Sequence, residues 1–120
     1  MYLTALARAR KLGRPLVVIG APDGGVTAGY GCGDITIDIR GSCCPQTLQA
    51  DITKPPLPFD TNSVVVMVAC VLEYVDDARV ALQEIIRISG GEAFFVGVEP
   101  WTVTAFAYPG AKRTLPPQLR

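Results

Sequence analysis

The chain reads as an α/β domain built on a mostly parallel sheet with unusually few helices. Three observations predict this. Apolar, β-branched runs at Leu16 to Ile19, Ile35 to Ile39 and Val64 to Leu72 are separated by loops rather than by tight hairpin turns. The run from Val64 to Leu72 is apolar without interruption, as in a central parallel strand buried on both faces. Between it and a further apolar run, Ala93 to Val98, lies a segment with helical spacing, Asp77 to Ile88, which is the order of a parallel crossover with its usual right-handed sense. At 120 residues the chain has the size of one domain, 1–120.

Tyr2, Leu3, Leu6, Ala9 and Leu12 have helical spacing, and Gly13 is a C-terminal stop, so the chain opens with a helix over 2–12. Pro15 starts the first strand, Leu16 to Ile19, which ends at Gly20. Six glycines and a proline between Gly20 and Gly33 predict a long loop. Ile35 to Ile39 alternates and is β-branched, giving the second strand. Gly41 and Pro45 break the next segment, leaving room for one helical turn at Gln46 to Gln49, with a short third strand or its end at Ala50 to Thr53. Pro55, Pro56 and Pro58 force an extended connection into the Val64 to Leu72 strand. Asp76 or Asp77 caps the helix that follows, whose apolar stripe is Val80, Ala81, Ile85 and Ile88, and Gly90-Gly91 ends it. Trp101 to Tyr108 alternates Thr with apolar residues, as an edge strand does, and Leu115 to Arg120 is a Pro-rich tail.

Composition narrows the function classes. The chain is 49% hydrophobic and 18% charged, enough to bury a core. Eleven basic and eleven acidic side chains give no net charge, which argues against a nucleic-acid partner. The one basic cluster, Arg8, Arg10, Lys11 and Arg14, reads as a solvated helix face. Met1 to Leu12 lacks the apolar core of a signal peptide, and Val64 to Leu72 is far short of a bilayer span. The expectation is a soluble, cytoplasmic protein, or part of a particle assembled in the cytoplasm. Cys32, Cys43, Cys44 and Cys70 match no zinc spacing, and no His is present to complete one, so no metal site is expected. A bridge between vicinal Cys43 and Cys44 would be strained, and reduced thiols are the default. The absence of His also excludes His-based general-base catalysis and Ser-His triads.

Ala50 to Gly91 carries the most specific pattern: Asp51-Ile52, then Leu57-Pro58-Phe59, an apolar run, Leu72-Glu73-Tyr74-Val75, and a helix with Glu84 and Arg87 before Gly90-Gly91. This order resembles the second half of the class I S-adenosylmethionine-dependent methyltransferases, particularly their small type 11 group. Members read like D-x-x-x-LPF-x-D-x-S-F-D, then V-L-E-H-V, then E-x-x-R-V-L-K-P-G-G. The resemblance covers about Leu16 to Val98 and is strongest from Asp51 to Gly91. It implies a Rossmann-like methyltransferase fold and S-adenosylmethionine as cofactor. Gly20, Ala21 and Pro22 take the place of the glycine motif after the first strand. Asp38, eighteen positions after Gly20 and followed by Ile39, takes that of the acid gripping the ribose diol. Asp51 would accept from the adenine amino group, Ile52 would lie against the ring, and Cys70 would end the fourth strand beneath the cofactor.

The departures from the family pattern matter as much. Pro22 stands at the second glycine, Val65 where an Asp is expected, and Tyr74 where the family has His. The helix between the first two strands is absent or reduced to a turn. Two readings follow: a minimal methyltransferase acting on a small molecule or a protein, and a non-catalytic methyltransferase-like subunit used structurally. A dinucleotide-binding domain is disfavoured because G-x-G-x-x-G is absent. Methyl transfer mainly needs in-line positioning; a base, where one is needed, would come from Asp23, Glu73 or Glu99, and none is singled out as catalytic. A small sheet with few covering helices leaves a face or edge to be covered, so a homo-oligomer or a subunit of a larger assembly is expected. Trp101, Val103, Phe106 and Tyr108, beside the tail, are the apolar contact candidates; they fit equally a strand folded onto its own domain.

Overall fold

A computed structural model describes residues 2–20, 31–39, 44–69, 71–72, 75 and 77–96. In chain order these form α1 (Tyr2–Leu12), β1 (Leu16–Ile19), β2 (Ile35–Ile37), β3 (Thr47–Leu48), β4 (Val65–Ala69), α2 (Ala78–Ser89) and β5 (Ala93–Val96). The strands make one five-stranded sheet in the order β3-β2-β1-β4-β5, and every pairing is parallel. The architecture is α/β, and the strand order is compatible with a Rossmann-like fold.

β1 and β4 are buried on both sides, as their apolar runs predict. Side chains of β1 and β4 alternate between two cores. Leu16, Val18, Val65 and Met67 face α1, which lays its fully buried Ala5 and Ala9, one turn apart, on that side. Val17, Ile19, Val66 and Val68 face the other way, into a core with Ile85 and Ile88 of α2. One helix thus covers each face, giving three layers.

Local chemistry sets the helix ends where the sequence places them. Gly13 sits at φ +66, a conformation that costs a residue without Cβ little. Its N–H donates to Arg10 O at 3.2 Å, while that of Arg14 donates to Ala9 O at 3.0 Å, the double closure of a Schellman motif. Asp77 caps α2 by accepting from the Arg79 N–H, and Gly90 closes it by donating to Ile86 O at 2.8 Å. The last carbonyls of α2 are used again: Asn62 donates to Arg87 O, and Ser63 and Val64 donate to Ile88 O, so the approach to β4 is docked on the helix end.

The basic cluster of α1 departs from a freely solvated face. Arg8 makes a two-bond pair with Glu92 (2.9 and 2.7 Å), and Arg10 makes one with Asp34 (2.8 Å each). Arg14 donates to Ser89 O at 3.3 Å. Asp34 precedes β2 and Glu92 precedes β5, so the two flanks of α1 tie down the amino ends of two strands on either side of the centre. Asp34 also accepts the Leu16 N–H at 2.8 Å, and the Arg10 guanidinium, opposed by partial burial, holds its carboxyl below the ordinary carboxylate range. Asp34→Ala is expected to cost about 1–2 kcal/mol in urea unfolding, because the N–H that opens β1 loses its acceptor. Lys in place of Arg10 should cost far less, since its charge is exposed.

Three boundaries differ from the sequence reading. The second strand ends at Ile37, not Ile39: Asp38 still donates to Leu48 O at 3.2 Å, but Ile39 is 59% exposed. The third strand is Thr47–Leu48, neither a helical turn at Gln46 to Gln49 nor a strand at Ala50 to Thr53. Gln46 at φ +55 offers its carbonyl to the Thr36 N–H, which swings Thr47 into register with Thr36. Among the described residues β4 spans Val65–Ala69, with Val64 and Leu72 buried at either side. A correction also falls on the cysteines. Cys32 and Cys44 form a disulfide with a Cα–Cα distance of 5.6 Å, because pairing of β2 with β3 brings the segments before those strands together. Gly97 and Val98, Trp101 to Tyr108 and the tail Leu115 to Arg120 lie outside the described residues.

Candidate functional site

In an open parallel sheet the crevice that receives ligands opens at the carboxyl ends of the strands, where the order reverses. Here the chain passes outward from β1 to β2 and β3, then returns to the opposite flank of β1 as β4, so the reversal lies between β1 and β4. Gly20 follows β1 at this point, with φ +85. Its N–H donates to Ile37 O at 2.8 Å, binding the end of β1 to the end of β2. A Cβ on Gly20 would sit 2.5 Å from Val71 Cγ2 and 2.6 Å from the Ala69 carbonyl oxygen. Bare backbone is the only thing that fits between the exits of β2 and β4.

Asp38 follows β2 directly, half-buried, with its N–H fixed by Leu48 O. Asp51 stands three residues past β3. Its Oδ1 accepts both from the Thr53 N–H (2.9 Å) and from the Thr53 hydroxyl (2.6 Å), and its carbonyl accepts the Lys54 N–H at 3.0 Å. Asp51 therefore closes a local turn ahead of the Pro-rich connection. The Thr53 hydroxyl, then its N–H, hold the carboxyl below the ordinary range against a small opposing effect of burial, so at neutral pH it is an acceptor only. Gly20, Asp38 and Asp51 thus lie just past three neighbouring parallel strands, on one edge of the sheet.

Ile52 has a different setting. It is 4% exposed and packed in the α2-side core with Ile37 and Leu57. Ile39 lies on the exposed side of the edge. Ala21, Pro22 and Cys70, like Asp23, Glu73, Tyr74 and Glu99, lie outside the described residues. Among the described residues no three or more His, Cys, Asp or Glu side chains gather as a metal-holding group, and no helix is long and apolar enough to cross a membrane.

Sequence reasoning passed over two features, one at this edge and one toward the opposite end of the sheet. Val71 packs against Gly20 and sets how closely the exit of β4 approaches. Glu84 and Arg87 pair at 2.7 Å and together hold the Leu57-Pro58-Phe59 turn: Glu84 accepts the Leu57 N–H at 2.5 Å, and Arg87 donates to Leu57 O (3.1 Å) and Phe59 O (3.0 Å). The signal for this tie was on the page, as an acid and an arginine at i and i+3 on one helix. No protein-family model, curated protein or solved structure matches the chain.

Proposed function

We propose that the protein is a minimal S-adenosylmethionine-dependent methyltransferase acting on a small molecule or a protein. The observation that supports this best is the common placement of Gly20, Asp38 and Asp51 past β1, β2 and β3, beside the strand reversal. A bare backbone, a carboxylate for a ribose diol and a second carboxylate for an amino group are the three contacts such a nucleoside needs. The tie between Leu57-Pro58-Phe59 and Glu84/Arg87 adds weight, because two separated stretches of the resemblance work there as one unit.

A second reading, a non-catalytic methyltransferase-like subunit of an oligomer or larger assembly, is favoured by Pro22 in the glycine motif and by the lack of any helix among the described residues between β2 and β4. Calorimetric titration with S-adenosylmethionine and S-adenosylhomocysteine tests both. Binding with methyl turnover supports the enzyme, binding without turnover the subunit, and no binding to either compound removes the cofactor from both. Asp38→Ala is expected to weaken binding by about 1.5–3 kcal/mol through loss of charge-assisted hydrogen bonds. Unchanged affinity in that variant would take Asp38 out of the site.

A further inference from the structure

Among the described residues β3 is an edge strand of two residues, paired with β2 alone. The Thr36 N–H donates to Gln46 O and the Asp38 N–H to Leu48 O, at 3.1 and 3.2 Å, at the two ends of this pairing, and the strand's own side chains are only half-buried. So short a strand has little hold of its own on a sheet. The Cys32–Cys44 disulfide spans the same gap, each cysteine three positions ahead of the strand it precedes. Thr47 reinforces this end by donating its hydroxyl to Cys44 O at 2.7 Å. Asp51 leaves from the other end of β3.

We infer that Cys32 and Cys44 form a thiol–disulfide switch that sets how firmly β3 is docked and, through it, how firmly Asp51 is held at the carboxyl edge. The docking statement stands without any assigned ligand; only its consequence for affinity rests on the proposed function. In the closing direction one cysteine thiolate attacks a sulfur of glutathione disulfide and expels a glutathione thiolate. The second cysteine thiolate then attacks the mixed disulfide and expels the other. The pair loses two electrons and two protons, and one glutathione disulfide becomes two glutathione thiols. Opening is the reverse. Cys32 and Cys44 are 9% and 7% exposed, so exchange needs this edge to part while the β1–β4 centre stays closed. A bridge of this kind is structural in an oxidising compartment and regulatory in a reducing one.

The test equilibrates the full chain in glutathione buffers of set ratio, traps free thiols by alkylation, and follows amide hydrogen exchange. Cys43→Ser removes the neighbouring thiol so that Cys44 is mapped without ambiguity. On reduction the Thr36 and Asp38 amides should exchange roughly ten- to a hundredfold faster, the scale of a loop freed of its crosslink. The Val65 and Val66 amides, which donate to Pro15 O and Glu92 O, should keep their rates. Cys32→Ser should match the reduced protein in every buffer; where that variant does not fold, the reduced wild type supplies the comparison. Free Cys32 and Cys44 in oxidising buffer, or equal Thr36 and Asp38 rates in both states, would overturn the switch. S-adenosylhomocysteine titrated into both forms separates the two ideas. Weaker binding on reduction supports the coupling to Asp51, and equal binding refutes it. No binding in either form overturns the functional reading while the exchange result still decides the switch.

Discussion

Replacing Glu84 with Ala is expected to destabilise the protein by about 2–4 kcal/mol, a fall in melting temperature of roughly 10 °C. Glu84 is 5% exposed and serves three donors: the Leu57 N–H and two nitrogens of Arg87. Without it a buried N–H is orphaned and the guanidinium loses its counter-charge. The cost stays below that of breaking a fully buried pair, because the Arg87 side chain is 32% exposed and water takes up part of its charge. The pH dependence has a definite sign. Arg87 most of all, then the Leu57 N–H, hold the Glu84 carboxyl below its ordinary value, with burial opposing. A carboxyl depressed in the folded state contributes its full stability above the unfolded value of about 4.3 and loses it as the pH falls below. The stability gap between wild type and Glu84→Gln should therefore narrow between about pH 5 and pH 3 in urea unfolding. A gap that stays constant across that window would mean the ion pair carries none of the effect.

Gly20→Ala should cost about 2–4 kcal/mol, the sum of a left-handed backbone position and an overlap that cannot relax freely. Of the two atoms the new methyl meets, Val71 Cγ2 is a side-chain end that can turn away, whereas the Ala69 oxygen belongs to the exit of β4. The pair Gly20→Ala with Val71→Ala is accordingly expected to recover only part of the loss. Thermal unfolding of the single and double variants measures this; full recovery in the double variant would place the whole conflict at Val71.

What was legible in the sequence is what neighbouring residues decide. Gly13, Asp77 and Gly90 close hydrogen bonds within a few positions, so both helices could be bounded from the text alone. The uninterrupted Val64 to Leu72 run announced a central strand, although only Val65–Ala69 forms the ladder. β3 was missed because Thr47 and Leu48 have no pattern of their own; the outward turn at Gln46 and a free edge on β2 make them a strand. The Cys32–Cys44 bridge depends on the same pairing and stayed hidden for the same reason. Glu84 stood in the sequence only as one letter of the helix pattern, because its place in the core depends on a loop more than twenty residues upstream. At the candidate site the end of β1 at Gly20 is visible as a composition change, whereas Asp38 and Asp51 were set beside it by the resemblance, on a second strand drawn two residues too long and a third strand drawn past β3. That Ile52 faces the core and not the open edge depends on the fold of the following turn.

The ion pairs and the disulfide described above share one end of the sheet. Asp34 and Glu92 stand before β2 and β5, Cys32 and Cys44 before β2 and β3, and Arg87 lies in the last turn of α2 on its way to β5. Gly20, Asp38 and Asp51 stand at the other end. Position along a strand therefore becomes a diagnostic for any collection of defective variants. A damaging change near a strand's start speaks of a protein that no longer assembles, and its failure to bind or turn over anything carries no message about chemistry. A damaging change just past a strand's finish, in a chain whose melting is unaltered, is the kind that tests the proposed ligand.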